Sequence, residues 1–193
     1  MDPLTGSPFE CHLFHEKAMR LLATSAVKKV VIGAYWEIYF SEGKTFSIRD
    51  SARTPFTLYG PRTDSAFEEM EHELEQLTMA GKRVYILLSN PSSPAFDPRS
   101  MFANRLRGIQ EKKPVKAISK AEFMARENPV TKRLRALALR AGATVIDPID
   151  YLCGTTTCPT VSANGLPIYT DEQHLRSSFA RRSATFIDLI FSN

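Results

Sequence analysis

The residues best placed to do chemistry lie in the stretch YTDEQHL, residues 169–175. Thr170 and Gln173 have the spacing of a capping box, which predicts a helix starting at Asp171 and running to about Phe191. Asp171 and His174 are then three apart on its first turn and can face each other. A carboxylate against one ring nitrogen fixes the imidazole tautomer and steadies the charged ring. The other nitrogen is left to take a proton from a hydroxyl nucleophile. The amino end of a helix opposes a charged imidazole, whereas Asp171 favours it. The same spacing also fits an ordinary helix start with a surface histidine, and Asp-x-x-His alone does not choose between the two.

Other reactive side chains are scattered. Ser89 and Asn90 follow the apolar run RVYILL, and Pro91 comes directly after them. Asn90 is a pocket donor or a turn former. Ser89 lacks the tight strand-to-helix turn that exposes an attacking hydroxyl. Trp36 ends another apolar run and suits either a pocket wall or the core. Cys153 and Cys158 lie five apart, and that spacing is compatible with a disulfide or with two free thiols. A bridge over so short a loop contributes only roughly 2 kcal/mol. Cys11, His12 and His15 lack a fourth ligand for a zinc site. The chain holds no GxSxG, P-loop, GxGxxG or HExxH, which removes the usual signatures of several hydrolase, NTPase, dinucleotide and zinc-protease classes.

The elements that position these residues follow from periodicity. Phe14, Ala18, Leu21 and Leu22 recur at helical spacing within residues 10–24. KKVVIGAYW reads as a buried strand, and residues 41–62, with Gly, Ser, Thr and Pro, read as a loop. Ser65 with Glu68 marks a helix start; Phe67, Met70, Leu74 and Leu77 form its stripe, and Gly81 ends it. RVYILL is the next strand. Residues 99–140 hold one or two helices, with a capping box at Ser119 and Glu122, an apolar face at Leu134, Leu137, Ala138 and Ala141, and a stop at Gly142. ATVIDP is a third strand. The last helix faces Leu175, Phe179, Phe186 and Ile190 inward. Helices alternating with strands predict a parallel sheet covered on both faces, with ligands beyond the carboxyl ends of the strands. A helix at the amino end of such a pattern calls for a strand before it.

Composition agrees with a folded domain. The 193 residues are 43% hydrophobic and 24% charged, enough for a good core in one domain. The apolar run at residues 30–35 is far too short to span a bilayer, and residues 1–10 show no basic stub followed by an apolar core. Residues 99–140 carry a net charge of +9 against −5 for the remainder. Such a segment is either the solvated faces of helices or a surface for anionic lipid or glycan. No aromatic-interleaved basic stripe is present, so nucleic acid is not expected as a partner.

The block LCGTTTCPTVSANGLPIYTDEQHLRSSFA resembles the carboxyl-terminal part of SGNH-type domains fused to membrane acyltransferase-3 proteins. The matching parts are Cys153, Cys158, Gly165, Ile168, Tyr169, Asp171, His174 and Leu175, with Arg176 where the family has Ser. VVIGAYWEIY and GKRVYILLSNP resemble two further family strands, with Trp36 and Tyr39 at matching places. The resemblance runs from Cys11 onward. It implies a three-layer α/β/α sandwich of the SGNH, flavodoxin-like kind, seen without its first strand or strands. It implies O-acyl transfer or ester hydrolysis on a cell-surface glycan by Ser, His174 and Asp171, with no metal or dissociable cofactor. It implies a close cysteine pair, an extracytoplasmic location, and as partners a preceding membrane acyltransferase domain, an acyl donor and a glycan acceptor. The family's nucleophile lies in a Gly-Asp-Ser motif, and no Gly-Asp dipeptide occurs here. The expectation is therefore a base and its orienter, with the serine in an upstream segment and little esterase activity from this chain alone. The alternative is a non-catalytic α/β domain that binds glycan or a protein partner.

Overall fold

A computed structural model describes residues 11–40, 61–105, 108–111, 117–125 and 129–191. Its elements run in chain order α1 (Cys11–Leu22), β1 (Lys29–Gly33), α2 (Trp36–Tyr39), α3 (Pro61–Met79), β2 (Arg83–Leu87), the 3-10 turns Pro94–Phe96 and Pro98–Met101, β3 (Phe102–Arg105), β4 (Gly108–Glu111), β5 (Ala117–Ser119), α4 (Lys120–Ala125), α5 (Pro129–Arg140), β6 (Thr144–Ile146), α6 (Ile149–Leu152), β7 (Thr157–Pro159), α7 (Ser177–Ser183) and the 3-10 helix Thr185–Ile190.

β1, β2 and β6 form a parallel sheet in that order, as the α/β pattern predicts. Gly33 pairs with Leu87, and Leu87 with Ile146. All three strands therefore end level, and the residues just after them gather along one edge. Alternation along β2 sends Val84 and Ile86 to one face and Tyr85 and Leu87 to the other. The first face packs on α3 and α5 through Phe67, Leu74, Leu77, Leu134 and Leu137. The second is covered by Leu152 of α6, Phe179 of α7, and Phe186 and Ile190. Helical segments thus cover both faces of the sheet.

Two expected helix stops hold for a visible reason. Gly81 and Gly142 take positive φ, 75° and 69°. The amide after each bonds back five residues, Lys82 to the Leu77 carbonyl at 3.1 Å and Ala143 to the Ala138 carbonyl at 2.8 Å. Only glycine adopts that φ at little cost, so both helices close alike. Lys82 is buried because its ammonium donates to the carbonyls of Thr24 and Val27, each at 2.8 Å, tying the α1–β1 turn to the sheet.

Several expectations need correction. No helix spans residues 171–191. Residues 171–176 form a non-helical turn, α7 begins at Ser177, and a break at Ala184 leads into a separate 3-10 helix. KKVVIGAYW is not one strand, because β1 ends at Gly33 and Trp36 opens α2. α3 begins at Pro61, so Ser65 lies inside a helix rather than capping it. Of the loop expected over 41–62, residues 41–60 lie outside the described residues. Among its described residues the basic segment 99–140 is α-helical only at α4 and α5; β3 and β4 pair as an antiparallel hairpin, and β5 pairs with β7 of the cysteine loop. That last pairing joins residues about forty apart and has no local signature.

Leu137 is 0% exposed and Leu139, two residues on, is 83% exposed. Leu137→Ala should therefore cost about 2–5 kcal/mol in urea unfolding followed by far-UV circular dichroism. Leu139→Ala should stay within about 0.5 kcal/mol, and equal losses would contradict the packing described here.

Candidate active site

The level strand ends build a mouth. Tyr35 follows β1, Ser89 and Asn90 follow β2, and Asp147 follows β6. Above it stands the turn at residues 170–174. Tyr169 and Leu175 form an antiparallel bridge beneath this turn. The Thr170 amide bonds the His174 carbonyl at 2.8 Å, and the Arg176 amide bonds the Ile168 carbonyl at 2.8 Å. These contacts pinch the turn shut and place the pair without a helix.

One carboxylate organises the inside of that turn. Asp171 Oδ1 accepts the backbone N–H of Gln173 at 2.9 Å and of His174 at 2.8 Å. Asp171 Oδ2 lies 2.7 Å from His174 Nδ1. An ionised carboxylate can only accept, so Nδ1 carries the proton and Nε2 of the neutral ring has the free lone pair. Among the described residues Nε2 has no hydrogen-bond partner, and the His174 side chain is 69% exposed. The two backbone N–H groups, then the imidazole, hold the Asp171 carboxyl down at about 2, below its ordinary value of 3.8.

The turn is docked from the strand-end side. The Ser93 amide donates to the Glu172 carbonyl at 2.9 Å, and Asn90 Nδ2 to the Gln173 carbonyl at 3.3 Å. Beneath it, Phe96 stacks on Tyr169 with ring centroids 4.1 Å apart. The disulfide-linked Cys153 and Cys158 are buried in that same apolar cluster, so they support the turn from below and do not line the mouth. Asp97 is buried beside it and grips the exposed Arg99, which holds its carboxyl below the usual range.

Two cavities open at the strand ends. The one beside His174 has a volume of about 440 Å³ and is mainly apolar, walled by Ala34, Leu87, Leu175, Ala180, Phe186 and Ile187. The other, of about 250 Å³, is more polar. Tyr35, Leu88, Ser89 and Asn90 line both, so the two adjoin. Of the pocket residues expected from sequence, Ser89 and Asn90 line both cavities. Trp36 lines neither: it is buried in the core, and its ring N–H donates to the Leu87 carbonyl at 2.8 Å. Sequence reasoning passed over Glu37, whose Oε2 accepts the Ser89 hydroxyl at 2.5 Å, and the buried Asp147 with its partner Arg135. For Asp147 a signal was present, since it is the first residue after a strand. For Glu37 and Arg135 nothing local pointed to the mouth.

The molecule is thus an α/β protein with an acid–imidazole pair at the carboxyl edge of a parallel sheet. A family model for the SGNH domain fused to AT3 domains matches residues 2–188, and the chain belongs to this family of acyltransferase-associated SGNH domains. No curated protein and no solved structure matches it. No helix among the described residues is long and apolar enough to cross a membrane.

Carboxyl-detected NMR titration should place the Asp171 midpoint near pH 2. In His174→Ala it should rise only part of the way toward 3.8, since both backbone donors remain. A depressed acid stabilises the fold above its unfolded value, so this contribution is present above about pH 4 and fades as pH falls toward 2. A midpoint at the ordinary value in the unaltered chain would contradict the geometry.

Proposed function

We propose that Asp171 and His174 are the orienting acid and the general base of a site for acyl transfer or ester hydrolysis on a cell-surface glycan. The observation that carries this reading is the 2.7 Å contact between Nδ1 and Oδ2 at the mouth of the sheet, with Nε2 unpartnered among the described residues. Nε2 takes the proton of a serine hydroxyl as that oxygen attacks the acyl carbonyl, and gives it to the alcohol or carrier of the donor as that group leaves. The same nitrogen then activates the acceptor hydroxyl or water, which displaces the serine and restores it. Asp171, held ionised by its backbone donors, offsets the imidazolium charge in both steps.

The serine this reading needs is that of the family's Gly-Asp-Ser motif, and no Gly-Asp dipeptide occurs in this sequence. Among the described residues no serine hydroxyl is bonded to His174, and Ser89 instead donates to Glu37. The fused membrane acyltransferase domain supplies the acyl group, and the present domain works outside the cytoplasm. The linked Cys153 and Cys158 support that location, because disulfides persist in oxidising compartments.

The test compares this chain with the longer natural protein. A fluorophosphonate probe should label the longer protein and leave this chain unlabelled. In the longer protein His174→Ala should cut turnover by roughly 10⁶-fold. Rapid p-nitrophenyl acetate hydrolysis by this chain, abolished by His174→Ala, would place the nucleophile among these residues. No labelling of the longer protein would leave a non-catalytic binding domain.

The chain has three cysteines. Denatured without reductant after periplasmic expression, it should titrate as one free thiol, Cys11, and after reduction as three. Three thiols before reduction would overturn the extracytoplasmic assignment.

A further inference from the structure

The smaller cavity, mainly apolar in its lining but carrying Glu37, Glu122, Arg135 and Asp147, has no part in the scheme above. It adjoins the His174 cavity along Ser89 and Asn90, and Asn90 also holds the residue before His174. Its polar groups are fixed before any ligand arrives. Glu37 accepts the Ser89 hydroxyl at 2.5 Å. Arg135 pairs with Asp147, whose Oδ1 also accepts the Ile149 amide at 2.9 Å. Burial pushes the Asp147 carboxyl up from its ordinary value, against the pull of the Ile149 amide and Arg135. Phe123 adds an aromatic wall, stacked on Phe96 at 5.6 Å between centroids.

This combination has a chemical meaning. Fixed carboxylates, a guanidinium and an amide offer both acceptors and donors, which neighbouring hydroxyls on a ring require. An aromatic wall suits the apolar C–H face of such a ring. The volume of about 250 Å³ suits a single small unit and lies near the lower end of ligand sites. Glu37, Glu122 and Asp147 against Arg135 give the lining a formal charge of −2, which opposes an anionic guest.

We propose that this cavity is the acceptor subsite and seats one uncharged sugar ring. Its reactive hydroxyl faces the His174 cavity across Ser89 and Asn90, while the apolar cavity takes the acyl group. The word acceptor rests on the reading in the previous subsection; the binding itself does not. The proposal assigns the substrate an uncharged unit at the point of transfer, although residues 99–140 are basic as a whole.

The experiment titrates this chain with methyl β-glucoside and with its acidic counterpart, methyl β-glucuronide, by saturation-transfer NMR. The glucoside should bind saturably, and the glucuronide about tenfold more weakly. Glu37→Gln should weaken glucoside binding by about tenfold, the loss of one charge-assisted hydrogen bond. Glu122→Arg, at an exposed position, should narrow the preference for the uncharged sugar. Leu139→Ala, exposed and outside both cavities, should bind the glucoside unchanged. Absence of saturable glucoside binding by the folded chain, tighter binding of the glucuronide, or equal loss in Glu37→Gln and Leu139→Ala would overturn the assignment. Glucoside binding without serine labelling of the longer protein keeps the subsite and removes the catalytic reading; labelling without glucoside binding does the reverse.

Discussion

A single carboxylate carries the local architecture of the site. Asp171 spends one oxygen on two backbone amides and the other on the His174 ring. The first oxygen shapes the turn, and the second aims the imidazole. These tasks are coupled, because a proton on the carboxyl would weaken both. The backbone donors keep it ionised, so the charge that balances an imidazolium is built into the fold of five residues. The ring needs no burial to be oriented, and it stays exposed to whatever approaches the mouth.

That turn has value only where the sheet ends. The level register of β1, β2 and β6 brings Tyr35, Ser89, Asn90 and Asp147 to one edge, although they are separated by more than a hundred residues of chain. The stacked Phe96 and Tyr169 lock the turn onto this edge from below, together with the cysteine loop. From the strand-end side, Ser93 and Asn90 hold its carbonyls. The site is a small polar device clamped between an apolar cluster and a row of strand ends, which is where open α/β sheets place their ligands.

Two cavities share one wall at the strand ends. The one that His174 lines is walled mainly by apolar side chains, and the other sets Glu37, Arg135 and Asp147 among its apolar walls. Of these three, Asp147 is buried. A carboxylate placed there costs desolvation, offset by Arg135 and the Ile149 amide, and its benefit is a fixed acceptor in the mouth.

Much of the framework was legible in the residues alone. Val and Ile runs marked the parallel strands, stripes at 3.6-residue spacing marked α1, α3 and α5, and Gly81 and Gly142 marked two helix ends. These signals are local, since backbone hydrogen bonds in helices and side-chain alternation in strands act over a few residues. The spacing of Asp171 and His174 was equally local, and it brought the pair together even though the expected helix does not form. Tertiary structure decided the rest. Asp171 bonds the Gln173 and His174 amides inside a turn that the bridge between Tyr169 and Leu175 closes, so the chain is not free to run on as a helix there. Trp36 went to the core, and Glu37 met Ser89 at a separation of 52 residues. Such contacts depend on which elements pack side by side, and no periodicity in the chain encodes a meeting between residues that far apart.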